Sequence, residues 1–304
     1  MDAPRLPPSI RIFERGWLSS NNVLLSGRLD ATLVDTGYAT HAAQTLALVH
    51  HALGARPLDR IVNTHLHSDH CGGNAALRAA YGCRVAIPAA EADKVAVWDE
   101  DVLSFRATAQ QCPRFAFDET VAPGQRLRMG DLDWQALAAP GHDPHALLLW
   151  CEGEGILVAG DALWHNGFGV VFPELAGEPG FDDVRATLDL IATLDAHAVI
   201  PGHGAPFSDV AAALDRAYGR LDYLVADPAR NADNAARVLL KFLLLERRRI
   251  ALADVDTLCA TVPLLVLARE RFLGGGHADL AARLVRALVK AGAARIEGAT
   301  LVDV

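Results

Sequence analysis

Four side chains that commonly bind metals stand within six positions of the segment THLHSDHCGG, residues 64–73: His65, His67, Asp69 and His70. A single histidine is usually an ordinary core or surface residue, and the chain has twelve of them. Three imidazoles and one carboxylate so close together favour a metal site, provided that other parts of the chain supply further ligands. The segment therefore constrains the fold, because distant loops have to meet at this point.

Further histidines and aspartates stand in three other loops, each directly after a β-like run. His142 lies in APGH, Asp161 in AGD and His203 in PGHG. Such loops are held by a rigid sheet, and neighbouring glycines let the backbone come close to an ion. The combined set offers five imidazoles and two carboxylates, which suffices for two metal ions with three ligands each and one shared carboxylate.

Short β-like runs alternate with helical stretches over the first two hundred residues. NNVLLSG and ATLVDTG are typical of strands, and THAAQTLALVHHAL carries apolar residues at helical spacing. DRIVNTH is a further β-rich run that leads directly into the histidine segment. This alternation predicts an α/β architecture in which helices cover sheets.

The motifs HLHSDH, PGH, GD and PGHG, in this order within residues 10–205, resemble the metallo-β-lactamase superfamily of metal-dependent hydrolases. The resemblance implies a four-layer αββα sandwich with its site at one edge of the two sheets. It also implies two groups of ligands and a bridge: His65, His67 and His142 on the first ion, Asp69, His70 and His203 on the second, and Asp161 between them. Asp35 in LVDTG matches the aspartate that supports this site from behind by orienting a ligand histidine.

All seven ligands donate nitrogen or oxygen, so we expect two divalent metal ions, with Zn2+ as the first choice and Fe or Mn also compatible. Two such ions lower the pKa of a bridging water to about 7, which makes a hydroxide available to attack a carbonyl. Asp69 is the expected catalytic residue, since it can orient the hydroxide and pass its proton to the leaving group.

The neighbourhood of the motifs also contains residues that match no family ligand. The third motif continues as PGHDPHA, so we expect His145 to be a neighbour of the site rather than a ligand. Cys71 is interpreted as a small buried residue. Five side chains are candidates for the substrate pocket, although the aromatic ones among them could equally pack their own loops: Trp98, His145, Trp164, His165 and Phe168.

The chain beyond residue 210 has a different character. ARVLLKFLLLERRR and HADLAARLVRALVKAG indicate helices, and RIEGATLVDV indicates a hairpin that turns at Glu297–Gly298. Residues 1–210 carry 14 Lys and Arg against 26 Asp and Glu, whereas residues 211–304 carry 14 against 11. We therefore predict a metallo-β-lactamase-fold catalytic domain at 1–210 and a helical, winged-helix-like region at 211–304.

Two functions from different classes remain open. Only 18 residues separate His142 from Asp161, which leaves no room for the large insert of the superfamily's DNA and pre-mRNA nucleases. The chain thus resembles the compact glyoxalase II-like group, which implies hydrolysis of a small acyl substrate such as a thioester, ester or lactone. The alternative is an endoribonuclease that acts on single-stranded RNA through the C-terminal region, as some relatives with a winged-helix appendage do. A catalytically idle sensor is a third reading, which the complete ligand set disfavours.

Composition suggests where such a protein works. No apolar run reaches the roughly 20 residues that span a bilayer, and the N-terminus lacks the pattern of a secretion signal. The five cysteines form no CxxC pair, which favours free thiols in a reducing compartment. We expect a cytoplasmic protein without membrane contact, whose C-terminal helices line the pocket or form a homodimer.

Overall fold

The computed structural model describes residues 4–304. Its first sheet has six strands that neighbour one another in chain order: β1 (Ile10–Phe13), β2 (Asn22–Ser26), β3 (Ala31–Val34), β4 (Arg60–Val62), β5 (Arg84–Pro88) and β6 (Glu119–Val121). The pairs from β1 to β3 are antiparallel, and the pairs from β3 to β6 are parallel.

The second sheet has five strands: β7 (Arg126–Met129), β8 (Leu132–Ala138), β9 (Leu147–Cys151), β10 (Ile156–Gly160) and β11 (Ala198–Pro201). They also follow chain order across the sheet. β7 to β10 pair antiparallel, whereas β10 and β11 are parallel because a long helix crosses between them.

Helices cover the outer face of each sheet. Eight of them belong to this part of the chain: α1 (Ala42–Leu53), α2 (Ser68–Cys71), α3 (Asn74–Tyr81), α4 (Ala92–Val97), α5 (Phe105–Thr108), α6 (Phe172–Ala176), α7 (Gly180–Thr193) and α8 (Val210–Val225). Short 3-10 segments lie at Ala39–His41, Ala89–Glu91 and Glu152–Glu154.

Side chains alternate between the two faces of the strands and so form separate cores. Val23 and Leu25 of β2 pack towards the second sheet, whereas Leu24 between them packs towards α1 and α3. On the far side, Leu148 and Leu157 of the second sheet pack against α7 and α8. The four-layer αββα sandwich expected from the sequence is confirmed.

The C-terminal region builds a core of its own from helices and a small sheet: α9 (Ala229–Arg247), β12 (Arg249–Ala251), α10 (Leu252–Thr261), α11 (Pro263–Ala268), a π-helical turn (Arg269–Leu273), α12 (His277–Lys290), β13 (Ala294–Glu297) and β14 (Thr300–Asp303). The strands lie in the order β12-β14-β13 and are antiparallel. β13 ends at Glu297, and Gly298 in the turn has a φ of 60°. This succession of helices and a terminal hairpin has the predicted winged-helix-like form.

Packing refines the proposed division of the chain. Ala213 and Leu221 of α8 lie in the outer core of the second sheet, whereas the C-terminal core begins with Ala232 on α9. We therefore propose a boundary in the turn at 226–228 rather than at residue 210. The last ligand motif ends near 204, and the apolar face of α8 resembles that of α9, so the sequence pattern did not separate the two helices.

Candidate metal centre

The predicted ligands and the supporting Asp35 lie where strands of the two sheets end. Asp35 follows β3 directly, His65 comes three residues after β4, Asp161 follows β10, and His203 comes two residues after β11. β3 and β4 are parallel neighbours, and so are β10 and β11. The carboxyl ends of these strands consequently meet at one edge of the sandwich, and the four loops converge there.

Three histidines form the first group. One ring nitrogen of each of His65, His67 and His142 lies within 4.8 Å of those of the others. Nδ1 of His67 is 2.8 Å from Nε2 of His142. Nδ1 of His142 donates to the carbonyl of Val170 at 2.5 Å, which leaves Nε2 as the unprotonated nitrogen of the neutral ring. His142 is therefore held in the tautomer that a metal ligand requires.

Asp69, His70 and His203 form a second group with the same spacing. Oδ2 of Asp69 lies 3.0 Å from Nε2 of His203 and 3.9 Å from Nε2 of His70. Asp69 and His70 belong to the one-turn helix α2, which begins just after His67. This helix is the turn that separates the two halves of the HLHSDH motif.

Asp161 lies between the groups. Its Oδ2 is 3.3 Å from Nε2 of His142, and its Oδ1 is 3.4 Å from Nε2 of His70. Nε1 of Trp164 donates to the same Oδ1 at 3.2 Å. One carboxylate thus reaches both groups, as a bridging ligand must.

Asp35 fixes two of the histidines from behind. Its Oδ2 accepts a hydrogen bond from Nδ1 of His70 at 2.8 Å and another from the hydroxyl of Thr64 at 2.7 Å. The Thr64 oxygen, having donated its proton, is 3.1 Å from Nδ1 of His65 and can accept from it. In its neutral form each ring therefore presents an unprotonated Nε2 to the centre. Burial lowers the pKa of His70, but the carboxylates of Asp35, Asp161 and Asp69 raise it well above its ordinary value, so a metal ion would displace a proton there.

The donor set fits two divalent ions. Within residues 4–304, Nε2 of His65 and Nε2 of His70 are buried and have no hydrogen-bond partner, which is costly unless a ligand takes their lone pairs. The backbone also leaves room for the side chains at the centre. A Cβ on Gly202 would lie 2.1 Å from Oδ1 of Asp161, and one on Gly169 would lie 2.4 Å from Nδ1 of His142. The assignment of each residue to one ion stays a prediction.

Burial and mutual charge set the protonation of the cluster. Desolvation lowers the pKa of His142 to about 4 and the pKa of His65 well below its ordinary value, so both rings are neutral near pH 7. Burial alone would raise the pKa of Asp161, but the imidazoles of His203 and His70 lower it well below its usual range. Neutral imidazoles and ionised carboxylates are the forms that bind metal ions.

A cavity of about 480 Å³ opens beside the cluster. Five of the predicted ligands line one end of it: His67, Asp69, His142, Asp161 and His203. The opposite wall comes from α9 and the end of α12, including Leu239, Phe242 and Leu288. The cavity therefore lies between the sandwich and the C-terminal region.

Aromatic rings border the cavity near the cluster. Trp17 stacks on His203 with ring centroids 5.3 Å apart and planes 9° apart, and Trp164 meets both rings edge-on at 5.5 Å. Phe172 lies 5.4 Å from the ring of His67 and 5.5 Å from that of His142. A substrate would therefore approach the ligands along mainly apolar side chains.

Of the five predicted pocket residues, Trp164 lines this cavity. Trp98 packs against Phe105 and Phe115, because its loop folds onto the helical layer of the first sheet. His145 contacts Glu91 and Lys94, and His165 packs against Phe207. Phe168 is buried in the core of the second sheet. Within residues 4–304 these four do not line this cavity, and a part for them in substrate binding stays a prediction.

Several residues at the cavity had no signal in the sequence. Trp17 stands in an ordinary loop before β2, and the lining residues of α9 lie more than 25 positions beyond the last motif.

Cys71 agrees with its interpretation as a small buried residue. Its thiol donates to the carbonyl of Leu66, and its sulfur lies 3.7 Å from the sulfur of Cys112. No helix in residues 4–304 has the length and apolar character needed to cross a bilayer.

Known proteins are similar to this chain in sequence and in fold. The family model described as metallo-beta-lactamase superfamily matches residues 15–203. Among curated proteins, a hydroxyacylglutathione hydrolase of Anaeromyxobacter dehalogenans is 32% identical over 206 residues, which cover 67% of this chain and 69% of that protein. One of the same name from Rhodospirillum rubrum is 30% identical over 121 residues, or 40% of each chain. The match thus spans less than half the length of some relatives.

Solved structures agree in fold. A metallo-beta-lactamase family protein from Thermus thermophilus has a TM-score of 0.59 and 20% identity, covering 99% of this chain and 100% of that one. A beta-lactamase domain protein from Burkholderia ambifaria has a TM-score of 0.60 and 20% identity, covering 100% of this chain and 94% of that one. Both likenesses extend through the C-terminal region. With the motifs, the sandwich and the family match in agreement, this chain belongs to the metallo-beta-lactamase superfamily.

Proposed function

We propose that the protein is a dinuclear metal-dependent hydrolase that cleaves a small acyl substrate: a thioester, an ester or a lactone. The observation that carries the proposal is the position of Asp161, whose two oxygens reach the two ligand groups at the floor of a cavity of about 480 Å³. The names of the curated relatives, hydroxyacylglutathione hydrolases, support the thioester among these substrates.

When bound, two divalent ions, of which Zn2+ is our first choice, would polarise a carbonyl and make water a nucleophile near neutral pH. The residues would supply positioning and proton transfer. Asp69 lines the cavity, and its Oδ2 is engaged with His203. Within the described chain no hydrogen bond occupies its Oδ1, so this oxygen can accept the proton of the attacking water. The same oxygen can then return that proton to the leaving thiol or alcohol.

The cavity wall would keep bulk water from the reacting carbonyl. Trp17 and Trp164 border the ligands beside His203, and Phe172 borders them beside His67 and His142. Leu239 and Phe242 of α9 also line this cavity. An apolar enclosure strengthens the electrostatic effect of the charged groups inside it. A small acyl chain would be held there by burial of its apolar surface.

The test is a comparison of turnover on metal-loaded protein with acyl thioesters, aryl esters and lactones as substrates. The test variant is His67→Ala, and the control is His51→Ala, which removes an exposed histidine of α1 far from the cluster. We expect acyl turnover that is lost in His67→Ala and kept in His51→Ala, with the bound metal measured in parallel. Turnover that survives in His67→Ala would overturn the proposal.

The expected contacts with RNA and with a second subunit gain no support from the relatives. The basic residues Arg248 and Arg249 of the α9–β12 junction pair with Asp303 and Glu297, so they do not form a free cationic surface. A labelled single-stranded RNA belongs in the same assay. Cleavage of RNA without acyl turnover would overturn the acyl hydrolase.

A further inference from the structure

A second cavity, of about 470 Å³, adjoins the one at the ligand cluster. The two cavities share three lining residues: Arg220 on α8, and Asn234 and Arg237 on α9. These side chains stand where α8 of the sandwich is followed by α9 of the C-terminal region.

Arg220 has no anionic partner. In the part of the chain that the structure describes, its guanidinium makes neither an ion pair nor a hydrogen bond, and its Cζ lies 5.2 Å from the centroid of the Phe168 ring. Burial lowers the pKa of Arg220, and the nearby charge of Arg237 lowers it further. A partly buried cation that faces a second cation is unfavourable unless an anion joins them.

Asn234 offers a second unused donor at the same place. Its Nδ2 is buried and has no hydrogen-bond partner within residues 4–304. Buried amide donors are nearly always paired in folded proteins, so an unpaired one that borders a cavity points to a ligand. Arg237 uses only part of its guanidinium in an ion pair, since its Nε lies 3.0 Å from the carboxylate of Asp233 on the preceding helical turn.

The second cavity is cationic as a whole. Arg230 and Arg283 line it together with Arg220 and Arg237, against the two carboxylates of Asp227 and Asp233. Those carboxylates already pair with Arg230 and Arg237, and Arg283 lies 3.5 Å from Asp233 without a well-aligned hydrogen bond. The cavity therefore has an excess of positive charge at the end formed by Arg220.

We propose that Arg220, Asn234 and Arg237 form an anion subsite that selects acyl substrates carrying a carboxylate or phosphate group distant from the scissile bond. This inference rests on the proposed hydrolase function and names its substrate class. The scissile carbonyl lies at the metal ligands, and the anionic end extends past Phe242 and Leu239 to the three donors. A guanidinium forms paired hydrogen bonds with either anion, and the amide of Asn234 adds a third.

The test uses matched substrates on the metal-loaded enzyme. One acyl thioester ends in a carboxylate, a second ends in a phosphate, and a third is the neutral methyl ester of the first. Arg220→Gln should raise KM for a charged substrate at least about tenfold, since a hydrogen bond to a charged group is lost, and leave the neutral one unchanged. Arg220→Lys should restore part of the effect. The charged substrate whose KM rises more in Arg220→Gln identifies the anion, carboxylate or phosphate, that the subsite prefers.

The control is Arg286→Gln, which removes an exposed arginine of α12 that lines neither cavity. It should leave KM for all three substrates as in the wild type. Equal changes for charged and neutral substrates in Arg220→Gln, or no change at all, would overturn the subsite. Cleavage of single-stranded RNA that depends on Arg220 would also overturn it as a site for small acyl substrates.

A binding measurement separates this inference from the hydrolase proposal. Inorganic phosphate and succinate should raise the Tm of the wild type more than that of Arg220→Gln, because a ligand that binds the folded state stabilises it. If no acyl substrate is turned over but this difference is present, the hydrolase proposal fails and the anion subsite stands. If the two proteins shift equally, the subsite fails whatever the turnover.

Discussion

Oδ2 of Asp35 lies 2.8 Å from Nδ1 of His70, and Asp35 itself has a φ of 55°. Few residues other than glycine adopt this left-handed conformation, and aspartate and asparagine tolerate it best. The conformation turns the carboxylate from the end of β3 back beneath the ligand cluster, where it also accepts from Thr64. A backbone position of this kind at a site is often part of how the site is built.

Asp35→Asn should weaken metal binding about 10- to 100-fold, the usual cost of losing the partner of a ligand histidine. Asparagine keeps the left-handed backbone but removes the charge that fixes the tautomers of His70 and His65. Metal affinity is measured by competition with a chelator. Asp93→Asn, an exposed change on α4, is the control and should bind metal like the wild type. Equal affinities in all three proteins would contradict the role of Asp35.

Gly202→Ala should lower turnover by about a hundredfold or more, as misplacement of a catalytic group by about 1 Å does. Its new Cβ would lie 2.1 Å from Oδ1 of Asp161 and 3.0 Å from Cε1 of His70, so the carboxylate has to move. Bound metal per chain and kcat are measured together. Gly153→Ala, which has no atom within 4 Å of its Cβ, should match the wild type. Full activity in Gly202→Ala would contradict the prediction that turnover depends on the position of the Asp161 carboxylate.

Asp303→Asn should lower the free energy of unfolding by about 1–3 kcal/mol, since it breaks a buried, charge-assisted contact. Asp303 is 7% exposed and accepts from Lys241 at 2.5 Å as well as from Arg248. Urea unfolding gives the value. Glu297→Gln, which removes an exposed carboxylate that pairs with Arg249 and Arg295, should change stability little. A loss in Glu297→Gln as large as in Asp303→Asn would argue against this account.

Tyr38→Phe should remove part of the alkaline loss of stability. Burial raises the pKa of Tyr38 far above its ordinary value, and the nearby Glu246 adds to the shift. Above about pH 10 the unfolded chain releases the phenolic proton while the folded chain keeps it, so folding stability falls by at most about 1.4 kcal/mol per pH unit. Below pH 10 both states keep the proton, and the contribution of Tyr38 to the free energy of unfolding does not vary with pH.

The measurement is urea unfolding of the wild type and Tyr38→Phe at several pH values from 8 to above 10. The difference between the two proteins should be constant at the lower values and shrink at the higher ones. Tyr223→Phe, a change at a side chain that is 56% exposed, should run parallel to the wild type. Parallel curves for Tyr38→Phe would contradict the prediction.

The order of strands and helices in the sandwich could be predicted because it follows local patterns. In β2 the alternation of Val23, Leu24 and Leu25 already assigns a face to each side chain, and the motifs mark the strand ends. The convergence of His65, His142 and His203 could be expected for the same reason, since each follows a strand. The boundary that we propose after α8 could not, because an amphipathic helix does not reveal which of two cores it covers.

The cavity was hard to predict because its wall depends on contacts between distant parts of the chain. Trp17 and His203 are 186 positions apart, and only the fold brings their rings into a stack. Trp98 and Phe168 were plausible lining residues by their place in the chain, yet their loops fold into separate cores. Arg220 could have been noticed only from its lack of a partner, which is a property of the structure.

The three donors of the proposed subsite lie outside residues 15–203, the part that matches the superfamily model. If the proposed subsite selects the substrate, the metal ligands and the choice of substrate are encoded in separate stretches of the gene. Recombination or drift in the segment for α8 and α9 can redirect the enzyme to another substrate while every ligand stays unchanged. The proposal then predicts that the metal-ligand motifs are shared by proteins with the same reaction, whereas the residues at positions 220, 234 and 237 differ between proteins with different substrates.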